Sequence, residues 1–158
     1  MVSYWRKIHP PAITAQEVAQ ADHVPGREVA KTVVLKADDR MILAVLRADQ
    51  VIRFDRLQTA IGSRTLRLAL ESEFVNNFPG CERGAMPPFG KLFRMPVYCD
   101  RALAGQSEIE FNCGTHKDAI RMCFSEFDLL ERPVLLDFAE TMPAIRMIRW
   151  SPKEAVCK

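Results

Sequence analysis

Apolar and polar positions alternate over residues 28–36, a segment rich in β-branched side chains, and this pattern predicts a strand. A polar turn at residues 37–40 separates it from an uninterrupted apolar run at 41–46, which predicts a buried return strand. The two segments together predict a β-hairpin. Lys31 shares one face of the first strand with aliphatic side chains, so we expect this lysine either at the rim of a sheet or held in place for a function.

The remaining pattern predicts several short elements of both kinds. Helices are expected at 15–22, 55–61, 71–77 and 125–131, and the pairs Thr14 with Glu17 and Ser125 with Asp128 read as capping boxes. Strands are expected at 65–69, 91–93, 97–99, 108–113 and 119–124. Because the strands are clustered rather than strictly alternating with helices, the sequence predicts a mixed α/β fold in which helices pack outside a mixed sheet.

The composition indicates one ordinary globular domain. Of the 158 residues, 48% are hydrophobic and 27% are charged, and the formal net charge of +2 is smaller than that of a general nucleic-acid-binding domain. No apolar run reaches the roughly 18 residues that a membrane span needs, and the N-terminus lacks the apolar stretch of a secretory signal. The 5 cysteines include no CxxC pair, which favours reduced thiols, so we expect a cytoplasmic protein.

We expect three segments along the chain. Residues 1–13 form an extended N-terminal arm, residues 14–140 a folded domain, and residues 141–158 a basic C-terminal tail. The tail carries Arg146, Arg149, Lys153 and Lys158 against the single acid Glu154. Such a tail is either a solvated end of the chain or a basic strip that contacts a polyanion.

No familiar metal, nucleotide or serine-hydrolase pattern is present, so we expect neither a metal nor a cofactor. Three other features are candidates for chemistry. The glycine- and proline-rich loop at 84–88 either presents backbone groups in a set geometry or is a tight surface crossover. The turn at 113–116 either forms an anion-binding nest or simply ends a strand. Lys31 either supplies a fixed positive charge for a phosphate or an oxyanion, or extends its ammonium group to solvent.

These three segments, in this order, resemble a known family. They read GREVAKTVV at 26–34, GCERGAMPPFG at 80–90 and FNCGTHKDAIRM at 111–122. On these residues the chain resembles the YbaK/prolyl-tRNA synthetase-associated domain family of aminoacyl-tRNA editing proteins, over roughly residues 14–139. The resemblance implies a single α/β domain with a barrel-like mixed sheet. It also implies a free-standing enzyme, since no synthetase domain would fit beside it in this length.

The resemblance also implies a set of site residues. The implied catalytic residues are Lys31, Gly84, Pro88 and His116. The implied substrate-binding residues are Lys31, Ala85, Met86, Pro87, Phe89, Gly114, Thr115 and His116. Lys31 is expected to contact the terminal nucleotide, and the loop at 84–88 to position the aminoacyl group and the attacking oxygen. Two positions depart from the family pattern, because Cys113 stands where a small residue such as alanine is expected and Cys123 where arginine is expected.

The implied activity is hydrolysis, in trans, of the ester that joins a wrong amino acid to the 3′ acceptor end of a tRNA. We expect a small amino acid such as Ala, Cys, Ser or Thr, with proline tRNA as one candidate carrier and an aminoacyl-tRNA synthetase as a further candidate partner. An activated ester needs no strong nucleophile, so a ribose hydroxyl of the substrate can assist the attack. Two alternatives stay open: a non-catalytic module that binds the tRNA acceptor end, and a thiol-dependent hydrolase that uses Cys113.

Overall fold

The computed structural model describes residues 1–143, and its elements are short apart from one central hairpin. The helices are α1 (Ala15–Ala21), α2 (Phe54–Ile61), α3 (Glu71–Phe74), α4 (Arg101–Ala104) and α5 (Phe124–Glu131), with 3-10 turns at Val75–Asn77 and Gly90–Phe93. The strands are β1 (Tyr4–Ile8), β2 (Ala30–Ala37), β3 (Arg40–Arg47), β4 (Gln50–Ile52), β5 (Leu66–Leu68), β6 (Val97–Asp100), β7 (Glu108–Asn112), β8 (Asp118–Cys123), β9 (Val134–Leu136) and β10 (Ala139–Thr141).

The strands form a central mixed sheet and two smaller antiparallel sheets within residues 1–143. The central sheet has the order β5-β2-β3-β6-β9, in which β2 and β3 are antiparallel while β6 and β9 run parallel to β3. The second sheet has the order β1-β8-β7, and the third pairs β10 with β4. A parallel bridge from Val29 to Glu110 joins the hairpin to the second sheet. The predicted α/β fold with a mixed sheet and short flanking helices is confirmed.

The central hairpin is buried on both of its faces. Leu43 and Val45 face one hydrophobic cluster, which contains the aromatic rings of the second sheet and α5, while Ile42 and Leu46 face a second cluster around Leu57 of α2. A strand with two buried faces carries a continuous apolar run rather than an alternating one, which explains the predicted return strand. A third cluster packs α1, through Val18, against the chain around the hairpin. Helix α1 is therefore held over the end of β2 that carries Lys31.

Two predictions of local structure are confirmed. The capping box of α1 is present, because the Glu17 amide donates to Thr14 Oγ1 at 3.1 Å and the Thr14 amide donates to Glu17 Oε2 at 3.0 Å. The predicted helix at 55–61 ends at Gly62, which adopts the left-handed conformation with φ 67°. The N-terminal segment that we expected to be an extended arm contains β1, which is hydrogen-bonded to β8 along its whole length. Of the predicted basic tail, residues 144–158 lie outside the described residues.

Two other predictions of local structure are wrong. Residues 91–93 are not a strand but part of the 3-10 turn Gly90–Phe93, in which the Met95 amide donates back to the Gly90 carbonyl at 2.9 Å. A β-carbon on Gly90 would overlap the Met95 carbonyl oxygen, so only glycine allows this tight reversal. The second capping box is absent because α5 begins at Phe124, one residue earlier than predicted, which places Ser125 inside the first turn.

Candidate functional site

A small cavity of about 30 Å³ lies beside Lys31, between α1, β2, the loop at 84–86 and the end of β7. Its lining residues are Ala15, Val18, Val29, Ala30, Lys31, Thr32, Gly84, Met86 and Asn112. A space of this size holds about one water molecule. The structure thus brings together Lys31, Gly84 and Met86, which the sequence placed in one site although they are about fifty residues apart.

Lys31 is half-buried at the start of β2, and its ammonium group is bound by neutral acceptors. Nζ donates to the carbonyl oxygen of Gln50 and, at 3.5 Å, to that of Ala48. No carboxylate within residues 1–143 forms an ion pair with it. Burial lowers the pKa of Lys31 to about 8, and the more distant charge of Asp49 opposes this shift. The lysine therefore stays charged at neutral pH, and no carboxylate neutralises its charge.

The loop that follows Gly84 has a rigid backbone beside this charge. Gly84 has φ +77°, a left-handed conformation that costs other residues roughly 1–2 kcal/mol. A β-carbon at Gly84 would lie 3.7 Å from Cε1 of His116, so the imidazole is in contact distance of the glycine. Ala85, Pro87 and Pro88 are buried. The loop therefore places its first residue between the cavity and the imidazole of His116.

Backbone hydrogen bonds join this loop to the turn at 114–116. The Glu82 amide donates to the Gly114 carbonyl at 2.7 Å, and the Gly114 amide donates to the Ala85 carbonyl at 2.8 Å. The His116 amide donates to Glu82 Oε2 at 2.7 Å. Of the two alternatives for this turn, an anion-binding nest is excluded for the Gly114 and His116 amides, because both already have acceptors. Gly114, with φ +88°, instead holds the two segments together.

Three further predicted residues occupy different environments. The Thr115 hydroxyl donates to Asp118 Oδ2 at 2.7 Å and accepts from the Asp118 amide, so it stabilises its own turn. The ring of Phe89 packs 5.6 Å from that of Phe111 and 5.4 Å from that of Phe127, in the core and away from the cavity. His116 is half-buried, and its Nδ1 is buried without a hydrogen-bond partner in residues 1–143. Of the three, His116 alone keeps a free polar atom near Gly84.

Asn112 is a site residue that sequence reasoning missed. It is the last residue of β7, it lines the Lys31 cavity, and its Oδ1 is buried without a partner in the described part of the chain. An unsatisfied buried acceptor costs roughly 1–3 kcal/mol, so this atom favours a ligand that brings a donor. The available signal was its position, since Asn112 follows the buried Phe111 and points to the opposite face of the strand.

Cys113 does not line the cavity, and its environment disfavours a thiolate. Although the residue is exposed, partial burial of the sulfur, and then the nearby charge of Asp118, raise the pKa of Cys113. A neutral thiol is a poor nucleophile at neutral pH, which argues against the thiol-dependent alternative. Residues 1–143 hold no group of three or more His, Cys, Asp or Glu side chains arranged to bind a metal. None of the helices in the described residues is long and apolar enough to cross a membrane.

The described residues form an α/β domain whose cavity is lined by α1, β2, the loop at 84–86 and the end of β7. Comparison with known proteins identifies the family to which this domain belongs. The chain belongs to the aminoacyl-tRNA editing domain family, the YbaK family, which it matches over residues 9–127. The resemblance drawn from the three sequence segments is therefore confirmed.

The chain is similar to parts of proline–tRNA ligases. It is 34% identical over 101 residues to proline–tRNA ligase 1 of Anaeromyxobacter dehalogenans (strain 2CP-C), covering 63% of this chain and 17% of that protein. It is 28% identical over 141 residues to proline–tRNA ligase of Anaeromyxobacter sp. (strain Fw109-5), covering 89% of this chain and 23% of that protein. The chain thus spans between 17% and 23% of the length of these two relatives.

Solved structures share the fold. A crystal structure described as a candidate trans-editing enzyme for prolyl tRNA synthetase matches with a TM-score of 0.77 and 25% identity over 87% of each chain. The hypothetical protein APE2540 matches with a TM-score of 0.77 and 20% identity, over 87% of this chain and 92% of that chain.

Proposed function

We propose that the protein is an aminoacyl-tRNA deacylase that acts in trans on a mischarged tRNA carrying a small amino acid. The observation that carries this proposal is the convergence of Lys31, Gly84 and Asn112 on one cavity, with His116 against Gly84. The similarity to a candidate trans-editing enzyme for prolyl tRNA synthetase and to proline–tRNA ligases supports proline tRNA as the carrier. The tRNA acceptor end is then the partner, a synthetase is a further one, and the cytoplasm is the compartment.

The proposed reaction is hydrolysis of an ester that is already activated. A water molecule attacks the carbonyl carbon, the bond from that carbon to the ribose oxygen breaks, and the ribose oxygen leaves with a proton as a hydroxyl group. A neighbouring ribose hydroxyl of the substrate accepts the proton of the attacking water and passes it on. Positioning of the water supplies several kcal/mol by proximity, so the reaction needs neither a metal nor a strong nucleophile.

The protein groups act by position and charge in this proposal. The ammonium group of Lys31 stabilises the negative charge that develops on the carbonyl oxygen, or on the nearby nucleotide. Removal of one donor that faces such an oxyanion typically costs about 2.7–4 kcal/mol of transition-state stabilisation. Asn112 Oδ1 accepts a hydrogen bond from the α-ammonium group of the amino acid, which satisfies an acceptor that otherwise has no partner. His116 and the loop that begins at Gly84 hold the ester against these groups.

The cavity favours the smallest side chains. Its volume of about 30 Å³ and its apolar walls, which include Ala15, Val18 and Met86, suit a methyl group better than a branched or charged side chain. One methylene group changes discrimination by only about 1–3 kcal/mol. We therefore expect alanine to be removed fastest, with serine and cysteine slower and threonine slower still.

The decisive experiment is a deacylation panel. Proline tRNA charged with Ala, Ser, Cys, Thr or Pro is incubated with the wild-type protein and with a Lys31→Ala variant, and tRNA binding is measured in parallel. The proposal expects hydrolysis of the small mismatched amino acids, sparing of prolyl-tRNA, and loss of hydrolysis in the variant. Binding of the acceptor end without hydrolysis of any ester would instead establish the non-catalytic module.

A further inference from the structure

A second, larger groove of about 440 Å³ lies on the other side of α1 from the Lys31 cavity. Residues that matter for its chemistry are Gln16, Gln20, Pro25, Arg27, Arg47 and Asp49. A volume of this order falls in the range of small-molecule sites and is far larger than the space beside Lys31. Neither the sequence patterns nor the proposed catalytic roles account for this groove.

The groove carries a net positive charge. Arg47 Nε donates to Asp49 Oδ1 at 2.8 Å and its Nη2 donates to the other carboxylate oxygen, so these two charges neutralise one another. Arg27 is exposed, and its guanidinium group has no ion-pair or hydrogen-bond partner within residues 1–143. One unpaired guanidinium group therefore faces an open groove, which suits an anion with several oxygen atoms, such as a phosphate.

The groove also offers groups that recognise a planar polar ring. Gln20 is exposed with a free side-chain amide in the described residues, and Gln16 keeps its Oε1 free because only its Nε2 is used, in a 2.9 Å bond to the Ala48 carbonyl. Side-chain amides bind the edges of nucleic-acid bases by hydrogen bonds, and Pro25 adds an apolar surface to the same groove. Phosphate and base recognition side by side point to a nucleotide rather than to a free anion.

The position of the groove relates it directly to Lys31. The Ala48 carbonyl oxygen accepts from Nε2 of Gln16, which lines the groove, at 2.9 Å and from Nζ of Lys31, which lines the cavity, at 3.5 Å. A nucleotide in the groove is thus a direct neighbour of a group bound at Lys31.

We propose that the groove between α1 and Arg27 binds the nucleotide that precedes the terminal adenosine of the tRNA, with its phosphate on Arg27 and its base edge on Gln16 and Gln20. This proposal rests on the proposed function, because it takes the ester of the terminal adenosine to lie at Lys31. The acceptor strand then passes α1, and the groove supplies affinity for RNA while the cavity carries out the hydrolysis.

The test compares two esters that differ by one nucleotide, alanyl-adenosine and alanyl-cytidylyl-adenosine. We expect wild-type kcat/KM to be at least about tenfold higher for the dinucleotide, as for one charge-assisted hydrogen bond. Arg27→Ala should lose this preference through KM and keep the wild-type rate on alanyl-adenosine. The matched control is Arg40→Ala. Arg40 is also exposed and without a partner in the described residues, but it lies at the other end of the hairpin, roughly 23 Å from Arg47 of the groove.

A second variant tests the groove without changing its charge. A β-carbon at Gly26 would meet Cβ of Asp49 at an ordinary 3.8 Å, so Gly26→Leu should fill the groove and also remove the dinucleotide preference. The proposal is overturned if Arg27→Ala behaves like Arg40→Ala, or if it slows both esters equally.

Failure of the proposed function would leave the groove testable. If wild type hydrolyses no ester, binding of an uncharged RNA hairpin with a 3′ CCA end is measured over a range of salt concentrations. Arg27→Ala should bind more weakly, and its slope of log affinity against log salt should be shallower by about 0.7, the value for one phosphate of a single strand. An unchanged slope and affinity would refute the groove on its own.

Discussion

The two ends of strand β2 each carry a lysine, and the two ammonium groups have different hydrogen-bond acceptors. Near the β5 end, Lys36 donates to Glu73 Oε1 at 3.0 Å, and Arg67 binds the same carboxylate with distances of 2.7 and 2.8 Å. At the α1 end, the acceptors that Lys31 finds within residues 1–143 are both backbone carbonyl groups. The Arg67 hydrogen bonds, with those from the Leu70 amide and Lys36, hold the pKa of Glu73 far below its usual range, whereas burial lowers the pKa of Lys31.

This difference separates a charge that stabilises the fold from a charge that is available to a substrate. A lysine that is already paired with a carboxylate gains little from a second anion. A half-buried lysine with neutral acceptors keeps its full attraction for an anion, at some expense to the stability of the folded chain. The comparison therefore supports the proposal that Lys31, and not Lys36, is the cation of this strand that meets the substrate.

The largest expected effect is on catalysis at the two ends. Lys31→Ala should lower kcat/KM for the mischarged tRNA by at least about tenfold, or ~1.4 kcal/mol of barrier. Lys36→Ala should leave kcat/KM unchanged, because its ammonium group serves only Glu73 and lies away from the cavity. Deacylation assays on both variants, with circular dichroism to confirm folding, make the comparison. Equal loss in both would remove the distinction between the two ends.

A pH series sharpens the same point. With a pKa of about 8, Lys31 is largely protonated at pH 7 and largely neutral at pH 9, so enzyme-dependent hydrolysis should fall by up to about tenfold between them. The spontaneous hydrolysis of the ester is subtracted at each pH. Lys31→Arg keeps its charge over this range and serves as the control. If the hydrolysis by Lys31→Arg falls as steeply between pH 7 and pH 9 as that by wild type, the titrating group lies on the substrate and is not Lys31.

A smaller effect is expected on stability. The pKa of Lys31 is lower in the folded chain, about 8, than its ordinary value of 10.5, so between these values the unfolded chain binds more protons and wild-type stability rises with pH. Lys31→Met, which has no charge to bury, should be more stable than wild type at pH 7 by ~1–2 kcal/mol. Urea unfolding at pH 7 and pH 10 measures this, and the gap should close at the higher pH. If Lys31→Met is less stable than wild type at pH 7, burial of the charged Lys31 side chain does not destabilise the folded chain.

The smallest expected effect is that of removing a thiol. Cys113→Ala should keep hydrolysis within about twofold of wild type, because a sulfur with a raised pKa is neutral and lies outside the cavity. The check is the same deacylation assay, together with treatment of wild type by a thiol-alkylating reagent. Loss of activity in Cys113→Ala would instead support the thiol-dependent hydrolase that uses Cys113.

The elements that sequence patterns predicted well are those whose signal is local. The hairpin of β2 and β3 follows from two apolar runs and a polar turn, and α1 follows from the hydrogen bonds between Thr14 and Glu17. The short strands β4, β9 and β10 were missed because three residues carry too little periodicity, and each becomes a strand only through a distant partner. Residues 91–93 were predicted as a strand because their side chains gave no sign of the hydrogen bond from the Met95 amide to the Gly90 carbonyl.

The candidate site likewise contains residues with a signal in the local sequence and residues whose role depends on distant parts of the chain. Lys31, the loop at 84–88 and His116 became candidates through chain order and family resemblance. In the structure, Lys31 lines one cavity with Gly84 and Met86 of that loop, and His116 lies against Gly84, while the other loop residues do not line the cavity. Asn112 was missed because an asparagine at a strand end is common, and its importance comes from the register that turns its side chain into the cavity. The groove at Arg27 was missed because its walls come from three separate elements. The sequence left a nest at Gly114 open because nothing in it showed that the amide donates to the carbonyl of Ala85, a residue far away along the chain.

The two hydrogen bonds between Gly114 and the segment from Glu82 to Ala85 use backbone atoms only. They therefore do not depend on which side chains line the cavity. Side chains that line the cavity, such as Val18 and Met86, can be exchanged while the backbone around them keeps its conformation. A library randomised at those two positions should yield proteins of unchanged architecture with altered tolerance for the amino acid removed, a separation that makes the domain easy to retarget by evolution or in the laboratory.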